Sequence, residues 1–221
     1  MELSDFDFAA HNAEVAALWD AYGEGRPWRV PVIVGTSTRY FVFSRDANPD
    51  GISFREYVED PLTMMRCQMQ FANWARHNIL QDVELGPPTE GWDVRVGFQN
   101  YYEAAWLGCP VEYFDGQAPD TRPILSDDES KRRSFDTGFP IDFAATRRAL
   151  GPDVQIQGGP HVELLRQGPP EAIVAEVRRI LASGVAEGRR FILREGNNLA
   201  PHTPVAHLKA MYEAAREYGR Y

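Results

Sequence analysis

The sequence contains few cysteines, no long apolar run and no excess of positive charge. Its two cysteines, Cys67 and Cys109, lie far apart and neither belongs to a CxxC motif, which argues against a disulfide framework and against a thiolate zinc cluster. No apolar run approaches the about 18 residues of a membrane span, and no basic segment leads into an apolar stretch as in a secretory signal. These absences predict a cytoplasmic protein with two buried thiols.

The charge balance is acidic, with 23 lysine and arginine residues against 32 aspartate and glutamate residues and a formal net charge of −9. An acidic surface disfavours nucleic acid and anionic membranes as partners, because both carry negative charge. The 221 residues include 43% hydrophobic and 12% aromatic residues. This is enough to bury one core, so we expect one domain over residues 1–221.

Apolar runs and helical periodicity alternate along the chain. Four apolar runs are predicted strands, at residues 30–35, 93–98, 154–158 and 190–195, and residues 40–43 are predicted to form a further short extended segment. Helical spacing of apolar residues predicts helices at 9–22, 53–60, 61–80, 101–107, 143–150, 170–186 and from 203–204 onward. Strands that alternate with helices of this length indicate an α/β protein with parallel strands, as in a (β/α) TIM barrel.

Polar residues follow each of the four predicted strands, at the positions where the sites of βα folds lie. They are the run at 35–40 (Gly-Thr-Ser-Thr-Arg-Tyr), which ends in Arg39 and Tyr40, after the first strand, Gln99 and Asn100 after the second, Gln157 and His161 after the third, and Arg194, Glu195, Asn197 and Asn198 after the fourth. The carboxyl ends of such strands lie on the same side of the fold. We therefore expect these side chains to converge on a pocket for a polar small molecule.

Each of these residues also has a purely structural interpretation. Arg39 is explained equally well by a surface ion pair, His161 by a helix start and Asn197 by a turn. Glu195 directly follows an apolar strand, and a carboxylate is costly to bury there unless a cation pairs with it. Glu195 is therefore either a functional group or the partner of an arginine such as Arg194 or Arg39.

The histidines do not indicate a metal site. Of the five histidines, His202 and His207 are nearest to each other in sequence, but a spacing of five positions lies slightly off one helical face. No cysteine lies near them. We therefore predict no metal site and no cofactor.

The last third of the sequence carries a specific order of short motifs. They are Gln-Gly-Gly at 157–159, Gly-Pro-Pro-Glu at 168–171, Phe-Ile-Leu-Arg-Glu-Gly at 191–196, Pro-His-Thr-Pro at 201–204 and Glu-Tyr-Gly at 217–219. In this order and spacing the segment resembles the C-terminal part of the uroporphyrinogen decarboxylase superfamily, which also contains the cobalamin-related methyltransferases. The resemblance implies a fold derived from the TIM barrel.

Parts of the N-terminal half are similar to the same superfamily. Residues 31–33 followed by Arg39 and Tyr40 resemble the arginine-bearing segment after the first strand of the decarboxylases. Residues 98–100 (Phe-Gln-Asn) stand where the decarboxylases have Phe-Ser-Asp, and residues 107–111 (Leu-Gly-Cys-Pro-Val) resemble their Leu-Gly-Met-Pro-Val segment. The resemblance covers most of the chain and implies that Arg39 binds an anionic group of a substrate.

The sequence departs from the family pattern in three ways. The expected catalytic aspartate is Asn100, and an amide cannot supply the negative charge that stabilises a protonated pyrrole. The zinc-binding positions of the methyltransferases look like Gln155, Gln157 and Asn197, none of which is a thiolate. The middle of the barrel has no counterpart, which indicates a shortened or incomplete barrel. Its open sheet edges predict a two-fold homodimer.

Two hypotheses about function follow from the resemblance. In the first, the chain acts on a carboxylated or methylated small anionic molecule, as a decarboxylase or a methyltransferase-like enzyme. The predicted substrate-binding residues are Arg39, Tyr40, Gln99, Gln157, Arg194 and Asn197, and the predicted catalytic residues are Glu195, His161 and Asn100. In the second, the chain is a non-catalytic binding or partner subunit. The retained polar strand ends favour the enzyme, and the missing aspartate and thiolates favour the subunit.

Overall fold

Helices make up most of the regular structure of the chain. The computed structural model describes residues 6–95, 101–106, 108–122 and 141–221. Its helices are α1 (Phe8–Gly23), α2 (Thr38–Phe43), α3 (Phe54–Glu59), α4 (Pro61–Asn78), α5 (Tyr101–Trp106), α6 (Phe143–Leu150), α7 (Val162–Gln167), α8 (Pro170–Leu181) and α9 (Val205–Tyr218). Its strands are β1 (Val111–Glu112), β2 (Asp120–Thr121), β3 (Ile156–Gly158) and β4 (Phe191–Leu193). The described strands are therefore short, and helices supply most of the packing surfaces.

A small parallel sheet lies in the larger core. β3 and β4 run in parallel, with Gly158 opposite Leu193. Residues 31–33 lie along the other edge of β4, where Leu193 N–H donates to the Pro31 carbonyl at 2.9 Å and Ile33 N–H donates to the Leu193 carbonyl at 2.9 Å. The predicted parallel arrangement is therefore confirmed for these three segments.

Side chains, rather than a further strand, bond the outer edge of residues 30–35. Val32 N–H donates to the Asp82 carboxylate at 2.7 Å, and Val34 N–H donates to the side-chain carbonyl of Gln81 at 3.0 Å. Two of the N–H groups on this edge are thus taken by side chains. Residues 30–35, predicted to be a strand, form an isolated bridge to β4, with Val32 opposite Leu193, because only residues 31 and 33 exchange hydrogen bonds with it.

Helices α8 and α9 pack against the parallel sheet. α8 begins at Pro170, which suits the first helical turn because that position has no intrahelical partner for an N–H. It ends at Leu181, earlier than predicted. The shared core contains Ile173, Val177 and Ile180 of α8, Leu208 and Met211 of α9, and Ile156, Phe191 and Leu193 of the strands. Burial of these aliphatic side chains stabilises the helix-on-sheet arrangement.

Helices α2 to α4 form a second, smaller core. Asp60 caps α4 by accepting hydrogen bonds from Leu62 N–H at 3.1 Å and Thr63 N–H at 3.2 Å, and Pro61 follows at the first helical position. The predicted break between two helices at Pro61 is confirmed. The small core contains Phe41, Ala47, Tyr57, Met64 and Cys67, and Phe71 and Trp74 pack against both cores.

The prediction of an extended segment at residues 40–43 is wrong, because these residues lie in α2. Their β-branched and aromatic side chains favour a strand by propensity. The helix instead buries Tyr40 and Phe41, and the Tyr40 hydroxyl donates to the Thr203 carbonyl at 3.1 Å. Tertiary packing therefore overrides the local preference.

Two further predictions hold only in part. Residues 93–95 take no regular secondary structure, and the rest of that predicted strand, 96–98, lies outside the described residues. Cys67 is buried as predicted, whereas Cys109 is partly exposed.

The antiparallel β1–β2 hairpin is absent from the predictions, because its two-residue strands are too short to give a periodic signal.

The sheets of the described residues do not close into a barrel. They are one antiparallel and one parallel pair, β1–β2 and β3–β4. The parallel pair flanked by helices is the part that agrees with the predicted α/β fold. The single domain over residues 1–221 and the homodimer stay predictions. No helix in the described ranges is long and apolar enough to cross a membrane.

A buried ion pair joins α1, α9 and residues 29–32. The Asp82 side chain is completely buried, and Arg29 is buried beside it. Arg29 donates to both carboxylate oxygens, at 2.6 and 2.9 Å, and Tyr212 donates to one of them at 3.3 Å. Trp19 Nε1 donates to the backbone carbonyl of Asp82 at 2.7 Å. The bidentate geometry and the added donors satisfy a charge that would otherwise be costly to bury.

A second buried arginine, Arg147 on α6, binds backbone carbonyls. Its guanidinium donates to the carbonyls of Val185 at 2.9 Å, Gly151 at 2.7 Å, Val154 at 2.7 Å and Arg190 at 3.0 Å. All four carbonyls precede β3 or β4 in the chain. Arg147 therefore joins the loops at the amino ends of both strands.

Glu14 on α1 extends the ion pair towards the surface. Its carboxylate accepts hydrogen bonds from Arg29 at 2.9 Å and from Arg216 at 2.9 and 3.2 Å. Partial burial alone would raise the pKa of Glu14, but the hydrogen bonds from the two arginines together hold this pKa below its ordinary value of 4.5. Glu14 therefore stabilises the fold in its ionised form.

We expect Asp82→Asn to lower the free energy of unfolding by about 3–5 kcal/mol, because it leaves the buried Arg29 charge without its main partner. Urea denaturation followed by circular dichroism measures the change. The control is Glu213→Gln, which removes an exposed pair with Lys209 and should change the free energy by less than about 0.5 kcal/mol. Equal effects of the two substitutions would contradict a dominant role for the buried pair.

We expect the contribution of Glu14 to stability to be complete above pH 4.5 and to be lost as the pH falls through its lowered folded-state pKa. The sign follows because the unfolded chain takes up the proton first as the pH falls. Urea unfolding over a series of acidic pH values measures this loss. Glu14→Gln should flatten the pH dependence in that window, whereas Glu213→Gln should keep the dependence of the unchanged chain. An unaltered profile for Glu14→Gln would reject the assignment.

Candidate functional site

A buried carboxylate lies at the carboxyl end of the parallel sheet. β4 ends at Leu193, so Arg194 and Glu195 follow it directly. The Glu195 side chain is completely buried. Its Oε2 accepts a hydrogen bond from Gly35 N–H at 2.8 Å, and its Oε1 accepts one from Arg194 Nη2 at 2.8 Å. The alternative in which Glu195 pairs with an arginine is confirmed, and that arginine is Arg194.

Two glycines allow the backbone to approach this ion pair closely. A Cβ atom at Gly35 would overlap Glu195 Oε1 and would lie 2.5 Å from Arg194 Nη2. A Cβ atom at Gly159 would overlap the Arg194 carbonyl oxygen. Neither glycine has a positive φ. Close packing, rather than an unusual backbone conformation, therefore requires glycine at 159, where the overlap is with backbone, whereas a Cβ atom at 35 would displace the side chains of the ion pair.

The Arg194 guanidinium is held by Glu195 and still has N–H donors available for a ligand. Its side chain is 35% exposed, and its Nη1 lies 3.5 Å from the side-chain carbonyl of Gln157 on β3, which is itself exposed. A guanidinium carries five N–H donors, and the contacts to Glu195 and Gln157 leave several of them available. The structure therefore brings Gln157, Arg194 and Glu195 together, as predicted for strand ends.

The two predicted site residues on α2, Arg39 and Tyr40, differ in exposure. Tyr40 is buried, and its hydroxyl bonds the Thr203 carbonyl. Burial raises the pKa of Tyr40 to about 12, so the hydroxyl stays protonated. Arg39 is exposed on the same helix, and among the described residues no hydrogen bond or ion pair joins it to Glu195. The substrate-binding roles of Tyr40 and Arg39 stay predictions.

His161 lies at a helix start and Asn197 lies in a turn, which are the structural interpretations given for them from the sequence. His161 precedes α7, and its Nδ1 accepts a hydrogen bond from Glu163 N–H at 3.1 Å. Asn197 is exposed, and its side-chain carbonyl accepts from Asn198 N–H at 2.8 Å. The contacts explain both residues as a helix start and a turn. Their roles towards a ligand stay predictions.

Gly35 and Ser37 belong to the polar run at 35–40 that follows the first predicted strand, but neither is among the predicted catalytic or substrate-binding residues. The bond from Gly35 N–H to Glu195 is therefore the contact of this site that the sequence does not predict. Ser37 Oγ is buried and has no hydrogen-bond partner among the described residues. A buried hydroxyl in this state costs free energy unless a ligand or a water bonds it.

The described ranges show no cluster of three or more His, Cys, Asp or Glu side chains that could hold a metal ion. His207 instead lies against the backbone, with Nδ1 2.8 Å from the Leu165 carbonyl oxygen. Gln99 and Asn100 lie outside the described residues. The contribution of the second predicted strand to the pocket therefore stays a prediction.

We expect Gly35→Ala to lower the free energy of unfolding by about 1–3 kcal/mol, because the added methyl group displaces the Glu195–Arg194 pair or the segment that carries Gly35. The matched control is Gly23→Ala, where an added Cβ meets nothing within 4 Å and the effect should be neutral or stabilising. The urea midpoint of both variants measures the difference. A midpoint for Gly35→Ala at or above that of the unchanged chain would argue against tight packing at this position.

A comparison with protein families finds a similarity in the part of the chain that carries this site. The model of the family described as uroporphyrinogen decarboxylase (URO-D) matches residues 129–218, a span that contains β3, β4 and the Arg194–Glu195 pair. No curated protein matches the chain. The family implies a TIM-barrel-like α/β fold, with which the parallel β3–β4 pair agrees. The match confirms the resemblance to the uroporphyrinogen decarboxylase family over the C-terminal part of the chain, residues 129–218.

Proposed function

We propose that the chain binds a carboxylated small molecule at the carboxyl end of the parallel sheet and acts on it as a member of its superfamily. One observation carries the proposal: a partly exposed guanidinium, Arg194, is anchored by a completely buried carboxylate, Glu195. Arginine in such a position is suited to carboxylates, because its planar fork matches their two oxygens.

The anchoring reduces the cost of binding. Glu195 is itself fixed by Gly35 N–H at 2.8 Å, so the Arg194 side chain is held through two successive contacts. A long flexible side chain loses less conformational freedom on binding when one end is already held. The arrangement therefore favours affinity through pre-organisation.

In this proposal the site selects its ligand through short-range hydrogen bonds rather than through long-range electrostatic attraction. The charges of Arg194 and Glu195 cancel at a distance, because they form a pair at 2.8 Å. An anion then gains from the site only when it reaches the remaining N–H donors of Arg194. Binding should accordingly depend only weakly on ionic strength.

The reaction in the proposal is a decarboxylation or a methyl transfer. Arg39, Tyr40 and Asn197 would add contacts to the ligand, and His161 would move a proton. In the first hypothesis Glu195 shares that proton-transfer role. The residues Gln99 and Asn100 complete the proposed site.

A second candidate function is a non-catalytic binding or partner subunit, and the state of Glu195 favours it. Both carboxylate oxygens are engaged, one by Gly35 N–H and one by Arg194. A carboxylate held in this way takes up a substrate proton only if the pair opens. Glu195 then serves as an anchor for Arg194 rather than as a base.

The proposal is tested with glutarate as a probe and glutaramide as its uncharged analogue. We expect glutarate to bind the unchanged chain and Arg194→Gln to weaken that binding about tenfold or more, because a charge-assisted hydrogen bond is lost. Arg179→Gln, which removes an arginine of a surface pair on α8, should leave the affinity unchanged. Isothermal titration calorimetry measures all three proteins.

Equal binding of glutarate and glutaramide, or equal affinities of Arg194→Gln and the unchanged chain, would reject the carboxylate site. A CO2-release assay on a panel of pyrrole and aryl carboxylates then tests the decarboxylase form of the first candidate function. A decarboxylase releases CO2 from a compound that it binds, whereas a methyltransferase or a binding subunit leaves the carboxylate in place.

A further inference from the structure

A cleft of about 410 Å³ lies between the α2–α3 region and the β1–β2 hairpin. It is lined by the end of α2, by residues 51–55 leading into α3, and by the hairpin turn at 113–117. None of these residues belongs to the Arg194–Glu195 site. The volume falls within the range of pockets that hold small molecules.

Aromatic rings supply much of the lining of this cleft. On the helical side, the rings of Phe43 and Phe54 contact each other, with centroids 5.5 Å apart. On the hairpin side lie Tyr113 and Phe114, and Phe114 is 44% exposed. Aromatic walls of this kind fit a flat ring, because rings gain from stacked and edge-to-face contacts beyond the area that they bury.

Arg55 places a cation in the cleft. Its guanidinium lies 4.4 Å from the centroid of the Tyr113 ring, and it donates to Glu59 at 3.1 Å. Both members of this i,i+4 pair are more than half exposed, so the pair is weak and a ligand can compete for Arg55. The contact with the Tyr113 ring restrains the guanidinium, whose remaining N–H donors suit a planar anion.

Asp115 also lines the cleft, and its negative charge would repel an anionic ligand. The effect of this residue on affinity therefore tests whether the ligand is an anion. Asp115 lines the cleft from the exposed turn of the hairpin. A ligand carboxylate near Arg55 is attracted by the guanidinium and repelled by Asp115. Removing the two charges separately should therefore change the affinity in opposite directions.

We propose that this cleft binds a planar aromatic carboxylate. Its ring lies among Phe43, Phe54 and Tyr113, and its carboxylate bonds Arg55. The site is separate from the strand-end site and does not depend on the function proposed for Arg194.

The test uses 2-naphthoate, whose fluorescence anisotropy reports binding to the full chain. We expect Arg55→Gln to weaken binding about tenfold, because a charge-assisted bond is lost. Arg55→Lys keeps the charge but lacks the planar guanidinium, so its affinity should lie between those of the unchanged chain and Arg55→Gln. Asp115→Asn should tighten binding a few-fold. Arg148→Gln, an exposed arginine on α6, should bind as the unchanged chain does.

Matched ligands test the ring and the charge. The amide 2-naphthamide and the saturated decahydro-2-naphthoate should each compete about tenfold less well than 2-naphthoate itself. Arg194→Gln should leave the binding of 2-naphthoate unchanged, and glutarate should not displace it. The proposal is overturned if Arg55→Gln binds as tightly as the unchanged chain, if the amide competes equally, or if Arg194→Gln abolishes binding.

Discussion

The extended segment that precedes α2 is held by hydrogen bonds to side chains, and this constraint connects the core to the candidate site. The N–H groups of Val32, Val34 and Gly35 donate to the side chains of Asp82, Gln81 and Glu195. Backbone N–H groups in the interior must be bonded, and these three side chains supply bonds that a longer strand pairing would otherwise supply. Two of them are buried carboxylates, and each is paired with an arginine, Arg29 or Arg194.

This arrangement gives the two charged pairs different roles. The Asp82 pair lies at the beginning of the segment, inside the structure, and serves the fold. The Glu195 pair lies at its end, where Arg194 reaches solvent. A change that removes Glu195 would therefore disturb a backbone contact as well as the arginine. The aromatic cleft depends on α2, α3 and the hairpin, so it shares none of these contacts.

Local chemistry made much of the fold predictable. Apolar spacing indicated α1, α6, α8 and α9, Asp60 and Pro61 marked the start of α4, and the apolar runs at β3 and β4 indicated buried parallel strands. The cost of burying Glu195 pointed to an arginine. The contact between Gly35 and Glu195 spans 160 positions, and no local pattern encodes such a partner. The helix α2 was mistaken for a strand because Tyr40 and Phe41 are buried by distant residues.

The four carbonyls gathered around Arg147 give the two ends of the sheet different mechanical properties. One buried guanidinium is bonded to the chain before β3 and to the chain before β4, so a movement of either loop breaks buried hydrogen bonds to the same side chain. At the opposite end, Arg194 is tethered through one side chain and partly solvated. The amino ends of the strands are thus the more rigidly held. A ligand that binds at the carboxyl ends would require movement there, at Arg194, and not at the amino ends.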